Sequence, residues 1–203
     1  MIYVLIGLLC FVLMAGADWA TYKKIRLLKT FLWFAMVPVA IYAFIMAWLD
    51  SARFNFPAIL SIIAWVPLVL FFGLLVYSLF IEIPMKTYTA RSQPTKVVTD
   101  GTYSLSRHPA FLWFAGWLIS IIFVSQSVTL AVAAPAWIAA YIACIYFEDM
   151  LTSISDIGEE YRKYQRETPM IIPSHRSMAR FWMNIRSFLS SKVKLNLTIG
   201  GKS

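Results

Sequence analysis

The sequence predicts an all-α fold, a polytopic membrane helix bundle of about five transmembrane helices. Of its 203 residues, 60% are hydrophobic and 14% are charged, whereas soluble domains carry about 25% charged residues. The mean hydropathy is +0.70. Apolar runs of roughly 20 residues, the length that crosses a bilayer, recur along the chain. Because basic residues flank these runs, the net charge of +8 indicates anionic lipid headgroups as partners rather than nucleic acid.

Five apolar segments are predicted to span the membrane. The last two are separated only by Ser125-Gln126-Ser127 and therefore form a hairpin, and no Asp, Glu, Lys or Arg occurs from Pro109 to Phe147. The predicted spans are Ile2–Trp19, Thr30–Leu49, Ala58–Ile81, Pro109–Val124 and Val128–Phe147.

The basic residues predict the orientation of these spans. The connectors after the first and third spans hold four Lys or Arg each, among them Lys86, Arg91 and Lys96, and the segment after the fifth span holds nine. Seventeen of the 18 basic residues therefore lie on one face, and only Arg53 lies on the other. Because positive charge collects in the cytosol, we expect the N-terminus outside, the C-terminus in the cytosol and an odd number of spans.

Composition divides the chain into three predicted regions. Residues 1–81 form a three-span membrane region, residues 82–173 hold the polar connector and the hairpin, and residues 174–203 form a basic tail. From Ser177 to about Leu189 the tail places apolar and basic residues on opposite helix faces. Such a helix usually lies in the membrane interface, although it could bind a partner protein, and the end of the chain is predicted to be frayed.

Arg107-His108-Pro109 opens the fourth span with residues suited to polar chemistry. Proline fits the first position of a helix, where its missing N–H is not needed. The N–H groups at that helix start favour an anionic ligand, Arg107 adds a positive charge, and His108 can transfer a proton near neutral pH. Alternatively, Arg107 is one more orienting charge and His108 an interfacial cap.

Glu148 and Asp149 end the fifth span. Acidic residues contribute little to membrane orientation, so their position calls for another explanation. A hairpin would return them to the face that carries Arg107 and His108. The two carboxylates could form salt bridges there, or they could bind an ammonium group of a ligand.

Five motifs taken together resemble the integral-membrane methyltransferase group, which includes isoprenylcysteine carboxyl methyltransferases and phospholipid N-methyltransferases. The motifs occur in the same order as in that group. They are Gly101-Thr102-Tyr103, Arg107-His108-Pro109, Glu148-Asp149, Gly158–Tyr164 and Thr168–Pro173.

The resemblance, which covers about residues 97–173, implies an S-adenosylmethionine site on the cytosolic face. It assigns aromatic and helix-start residues to the cofactor pocket and an acidic residue to the cofactor's methionine end. The implied cofactor-binding residues are Tyr103, His108, Pro109, Phe111 and Glu148 or Asp149, with Thr95, Lys96, Val97 and Val98 as weaker candidates. No metal is implied, and the two cysteines fall in apolar runs without a CxxC pattern.

The chain departs from this group at positions implied for the cofactor pocket and for the substrate. Phe111 stands where the group usually has tyrosine, and Trp113 where it often has glycine. Isoprenylcysteine enzymes carry an arginine shortly before the acidic pair, and Cys144–Phe147 offers none. The amine of a lipid is therefore favoured over a carboxylate as the methyl acceptor.

The candidate catalytic residues are His108, Glu148 and Arg107. An amine must lose a proton when it is methylated, and His108, Glu148 or Asp149 could accept it. A carboxylate acceptor needs no base but needs a cation to orient it, and Arg107 is the candidate.

Two further interpretations stay open. Sterol-reductase-like proteins resemble this group in their C-terminal half and would use a reduced nicotinamide, but the chain is short for that architecture and has no dinucleotide fingerprint. The other is a non-catalytic membrane scaffold, in which the acidic pair neutralises Arg107.

Overall fold

A computed structural model of the protein describes residues 1–82 and 97–186, and those residues are helical with short connections. The prediction of an all-helical membrane protein is confirmed. The helices are α1 (Ile2–Tyr22), α2 (Arg26–Leu49), α3 (Ala58–Val76), α4 (Pro109–Ser125), α5 (Val128–Ser153) and α6 (Gly158–Glu167). Lys86, Arg91, Thr95, Lys96 and the predicted frayed end lie outside the described residues.

Four of the described helices are long and apolar enough to cross a membrane. They are α1, α2, α5 and α3 with its π-helical continuation to Glu82. α4 is apolar but has 17 residues, which is at the short end of the range that crosses a bilayer. The predicted count of five spans therefore stays a prediction, although α4 begins at Pro109 as the sequence indicates.

The chain divides into two compact units that cut across the three predicted regions. The first unit comprises Met1–Leu75 and Phe111–Gly158, and the second comprises Val76–Ala110 and Glu159–Ser203. The three regions predicted from composition are continuous stretches of the chain, whereas each compact unit joins segments that are distant in sequence. The three-region division stays a prediction.

Side-chain packing holds the first unit together. α1 packs against α2 and α5, and Trp137 of α5 lies against Gly7 so closely that a methyl group there would lie 2.3 Å from the indole ring. The same indole donates a hydrogen bond to the carbonyl of Val4 over 3.1 Å. The largest side chains of this core are Leu118, Ile121, Leu130 and Trp137.

Hydrogen bonds join two connections at one end of this unit. The α4–α5 turn reverses at Gln126, whose φ of 54° lies in the left-handed region. Its carbonyl accepts from the N–H of Phe54 over 3.0 Å, and Ser127 donates to the carbonyl of Ala47 over 2.6 Å. Ser127 also caps α5 by accepting from the N–H of Leu130. The α2–α3 connection is thereby fixed to the α4–α5 turn.

The described part of the second unit consists of short helical pieces. The π-helical turn Tyr77–Glu82 continues α3, and Gly101–Ser104 forms a 3-10 helix. After α6, residues 175–186 are helical. Ser174 and Ser177 hydrogen-bond reciprocally at the start of that segment, which resembles a capping box. The part of the predicted tail helix beyond residue 186 lies outside the described residues.

Candidate functional site

Residues 100–109 of the second unit form an ordered segment. Gly101 has φ of 64°, a conformation that glycine adopts without strain, and it turns the chain into the 3-10 helix. The next residue, Thr102, donates both its backbone N–H and its hydroxyl to the carboxylate of Glu82, the former over 2.9 Å. Thr102 and Glu82 are both buried. The start of the Gly-x-Tyr motif is thus fixed by a buried carboxylate.

Arg107 connects this segment with the end of α6. Its guanidinium donates to the carbonyls of Gln165 and Thr168 over 3.2 and 2.8 Å. Its backbone N–H donates to the carbonyl of Pro169 over 2.9 Å. Because the last carbonyls of a helix lack partners within it, Arg107 acts here as a C-terminal cap. This role is structural, and the catalytic role of Arg107 stays a prediction.

Tyr103 and His108 are held through their backbones. The hydroxyl of Tyr164 donates to the carbonyl of Tyr103 over 2.5 Å, and the N–H of His108 donates to the carbonyl of Met170 over 3.2 Å. The side chains of Tyr103 and His108 are half-buried, as are Val97 and Val98, whereas Pro109 is buried. Four of the implied cofactor residues therefore retain partial access to their surroundings.

Phe111 belongs to the helix packing of the first unit. It is 6% exposed, and its ring meets that of Tyr141 edge-on with a centroid distance of 5.4 Å. This contact brings the start of α4 against α5. The ring packs in the interior, and its assignment to the cofactor stays a prediction.

Glu148 and Asp149 differ in their surroundings within the first unit. Glu148 is exposed, whereas Asp149 is 8% exposed. Glu148 also interacts electrostatically with Asp18 of α1, a residue that the sequence interpretation passed over. An ionisable residue inside an apolar span is costly and usually functional, which is the signal that identifies Asp18. Asp18 and Glu148 therefore lie near each other at this end of the unit.

Lys24 and Asp156 form an ion pair near the same helix ends. Their side chains meet at 2.6 Å, and both are largely exposed. The hydrogen bond between them raises the pKa of Lys24 and lowers the pKa of Asp156. It connects the α1–α2 turn with the α5–α6 connection.

S-adenosylmethionine, the cofactor that the sequence resemblance implies, carries an ammonium, a carboxylate, a sulfonium and an adenine, and each unit by itself offers groups of a kind that could contact some of these parts. In the first unit, the carboxylates of Glu148 and Asp149 suit the ammonium. α4 begins at Pro109, and helix-start N–H groups suit a carboxylate. The half-buried ring of Tyr103 suits the adenine or the sulfonium.

An apolar cavity of about 260 Å³ lies within the first unit. It is lined by α1, α2, α4 and α5, with small residues such as Gly7 and Ala43 beside the rings of Phe44, Trp117 and Trp137. An apolar cavity of roughly 150 Å³ can hold benzene, so this one has room for part of a hydrocarbon chain.

Within residues 1–82 and 97–186, no group of three or more His, Cys, Asp or Glu residues is arranged to hold a metal ion. No solved structure matches the chain significantly. The chain is 31% identical over 105 residues to the nickel-cobalt-cadmium resistance protein NccN of Alcaligenes xylosoxydans xylosoxydans. That alignment covers 50% of this chain, and the chain spans about half (48%) of the length of this relative.

The family described as "Protein of unknown function (DUF1295)" matches residues 11–168, which is most of the chain and includes α2 to α6 and the greater part of α1. The protein belongs to the DUF1295 family.

Proposed function

We propose that this protein is a membrane-embedded methyltransferase, which moves a methyl group from S-adenosylmethionine to a lipophilic acceptor. The amine of a lipid is favoured over a carboxylate because Cys144–Phe147 carries no arginine before the acidic pair. The active site is proposed to face the cytosol, where the cofactor is, with the N-terminus on the opposite side of the membrane.

One observation carries the proposal. Motifs that the resemblance selects from separate stretches of the sequence contact one another in the second unit. Tyr103 bonds with Tyr164, 61 residues later, and Arg107 bonds with Thr168, also 61 residues later. Contacts between motifs explain why these residue types would occur together.

S-adenosylmethionine, when bound, supplies a methyl group on a sulfonium that a nucleophile can take directly. The chain's own residues then have three tasks, which are to bind the cofactor, to position the acceptor and to exclude water. Glu148 and Asp149 are proposed to bind the ammonium, and Tyr103 and Phe111 to contact the aromatic or sulfonium part. Pro109 is proposed to start the helix that receives the carboxylate.

His108, Glu148 and Asp149 are the candidates to accept the proton that an amine acceptor releases. Arg107 orders the segment that contains His108, because it bonds with the carbonyls at the end of α6. Val97 and Val98 lie just before this segment in the sequence and are half-buried. They are proposed as additional contacts to the cofactor.

The apolar cavity supports a lipophilic acceptor. Its walls come from helices of a membrane protein, so lipid chains are the molecules that surround it. We propose that the acceptor's hydrocarbon tail enters from the bilayer, while its headgroup reaches the polar residues at the cytosolic ends of the helices.

The experiment is methyl transfer in membranes that contain the protein, with S-adenosylmethionine labelled on its methyl group, followed by mass spectrometry of the lipids. We expect label in an amine-containing lipid, stable to mild alkali, and loss of labelling in His108→Ala. Label that alkali releases as methanol would indicate a methyl ester, and so the carboxyl-methyltransferase alternative. Absence of labelled lipid, with reduced nicotinamide consumed instead, would support the reductase alternative.

A further inference from the structure

Glu82 is a buried carboxylate at the end of the π-helical turn Tyr77–Glu82. It is 3% exposed, and π-helical turns are frequent at functional sites. A buried carboxylate is costly unless hydrogen bonds and charges compensate it. Thr102 supplies two donors to this carboxylate, its N–H at 2.9 Å and its hydroxyl.

These bonds are made at the start of the 3-10 helix Gly101–Ser104. The first N–H groups of a helix have no carbonyl partner within it, and a negative charge is favourable there. The carboxylate of Glu82 therefore helps to fix the start of this short helix, together with the positive φ of Gly101. A neutral or shorter side chain at position 82 would lose part of that constraint.

Tyr103 is consequently held from two directions. The residue before it is bonded to Glu82, and its own carbonyl accepts from Tyr164. A site that is fixed before its ligand arrives loses less conformational entropy on binding. A tyrosine on an unfixed turn would have to be ordered by the ligand itself.

We propose that Glu82 is a positioning residue, which fixes Thr102 and thereby presents Tyr103 to S-adenosylmethionine. The inference rests on the proposed function, because it assigns the fixed tyrosine to that cofactor. It adds a residue outside the motifs of the resemblance, one that acts through the backbone of its neighbour.

The test compares two threonine–carboxylate pairs. Thr102→Val removes the hydroxyl bond to Glu82 and keeps the side-chain shape. Thr129→Val is the matched control, because the hydroxyl of Thr129 donates to the carboxylate of Asp50 over 2.5 Å in the first unit. Glu82→Gln and the conservative Thr102→Ser complete the set. Cofactor affinity is measured by calorimetry on purified protein in nanodiscs.

We expect Thr102→Val and Glu82→Gln to weaken S-adenosylmethionine binding by about tenfold, the usual effect of losing one hydrogen bond to a charged group. Thr102→Ser should restore most of the affinity, and Thr129→Val should leave it unchanged. In turnover, the KM for the cofactor should rise more than kcat falls. Unchanged affinity in Thr102→Val, or equal losses in Thr102→Val and Thr129→Val, would overturn the inference.

Hydrogen exchange separates this inference from the proposed function. The Thr102 amide should exchange faster in Glu82→Gln whether or not a cofactor is present, because its acceptor has changed. If the wild-type protein does not bind S-adenosylmethionine, the proposed function fails and the role of Glu82 toward that cofactor fails with it. If the wild type binds and the Glu82 and Thr102 variants bind equally well, only the inference fails. Should Glu82→Gln not fold, Thr102→Val still decides.

Discussion

The two units of the protein are stabilised by different interactions. In the first unit, apolar helices pack through small residues and aromatic rings, as Gly7 does with Trp137. In the second unit, hydrogen bonds connect polar groups that are distant in sequence, including Glu82 with Thr102 and Arg107 with the end of α6. Association of helices in lipid depends on close packing because lipid tails are as apolar as the helices, which fits the first unit.

The contrast predicts which substitutions each unit tolerates. Close packing fixes the helices of the first unit, whose acidic pair Glu148 and Asp149 follows the apolar run of α5. The hydrogen bonds of the second unit order the segment that carries Tyr103 and His108, and the same bonds make that segment sensitive to single polar substitutions. We therefore expect volume changes to matter most in the first unit and loss of hydrogen bonds to matter most in the second.

The largest effect on stability is expected at Gly7. In Gly7→Ala the new methyl group would overlap the indole of Trp137, so the ring must shift and its bond to Val4 is strained. Overpacking of this kind costs about 1–3 kcal/mol. Thermal unfolding in detergent, followed by size-exclusion chromatography, should show a lower midpoint.

Gly73→Ala is the control for Gly7→Ala, because nothing lies within 4 Å of a methyl group at that position in α3. It should be neutral or slightly stabilising, since alanine favours a helix over glycine. Equal effects of the two substitutions would contradict the close packing of Gly7 and Trp137.

Arg107→Ala tests the hydrogen bonds that connect distant segments of the second unit. It removes the donors to the carbonyls of Gln165 and Thr168, and leaving such partly buried groups unsatisfied costs about 1–3 kcal/mol. The control is Arg166→Ala, at an exposed position of α6, which should change the unfolding midpoint much less. If Arg107→Ala abolished methyl transfer and left stability and cofactor affinity intact, Arg107 would be catalytic rather than a cap.

Trp137→Phe should have a smaller effect. It keeps an aromatic ring beside Gly7 but removes the donor to the Val4 carbonyl, and one hydrogen bond contributes about 1 kcal/mol. The change in unfolding midpoint is compared with that of Trp65→Phe, which replaces a largely exposed ring of α3. An equal change in both variants would mean that the indole bond contributes nothing.

The exposed ion pair of Lys24 and Asp156 should have the smallest effect. Because the pKa of Asp156 is lowered in the folded protein, its carboxylate stabilises the fold at a pH above the ordinary pKa of aspartate. That contribution is lost as the pH falls through the pKa of Asp156 in the folded protein. Because the pKa of Lys24 is raised in the folded protein, its ammonium stabilises the fold at a pH below the ordinary pKa of lysine. That contribution is lost as the pH rises through the pKa of Lys24 in the folded protein. Between about pH 6 and about pH 8 both contributions are constant. Asp156→Asn should therefore leave the midpoint within error throughout, and a pH-dependent difference would contradict this.

Much of the fold could be predicted because bilayer crossing requires long apolar segments. The predicted starts of the spans at Ile2, Ala58, Pro109 and Val128 agree with the helices. The helix ends were less predictable. α5 continues past the predicted end at Phe147 to Ser153, because the acidic pair and the residues after it remain helical outside the apolar run.

The site was predicted only partly, because hydropathy and motifs do not show which distant groups meet. Asp18 and Glu82 lie outside the motifs. Asp18 could have been found as a charge within a span, and Glu82 as a carboxylate directly after one. The capping role of Arg107 depends on where α6 ends, 60 residues later, which no local pattern in the sequence indicates.

Cofactor binding is the central claim, and calorimetric titration of the wild-type protein in nanodiscs tests it most directly. S-adenosylmethionine and its demethylated product should each bind at one site with heat that disappears in a Glu148→Gln, Asp149→Asn double variant, while reduced nicotinamides give none. Heat with a reduced nicotinamide alone, or no heat with S-adenosylmethionine from a folded sample, would contradict the methyltransferase proposal.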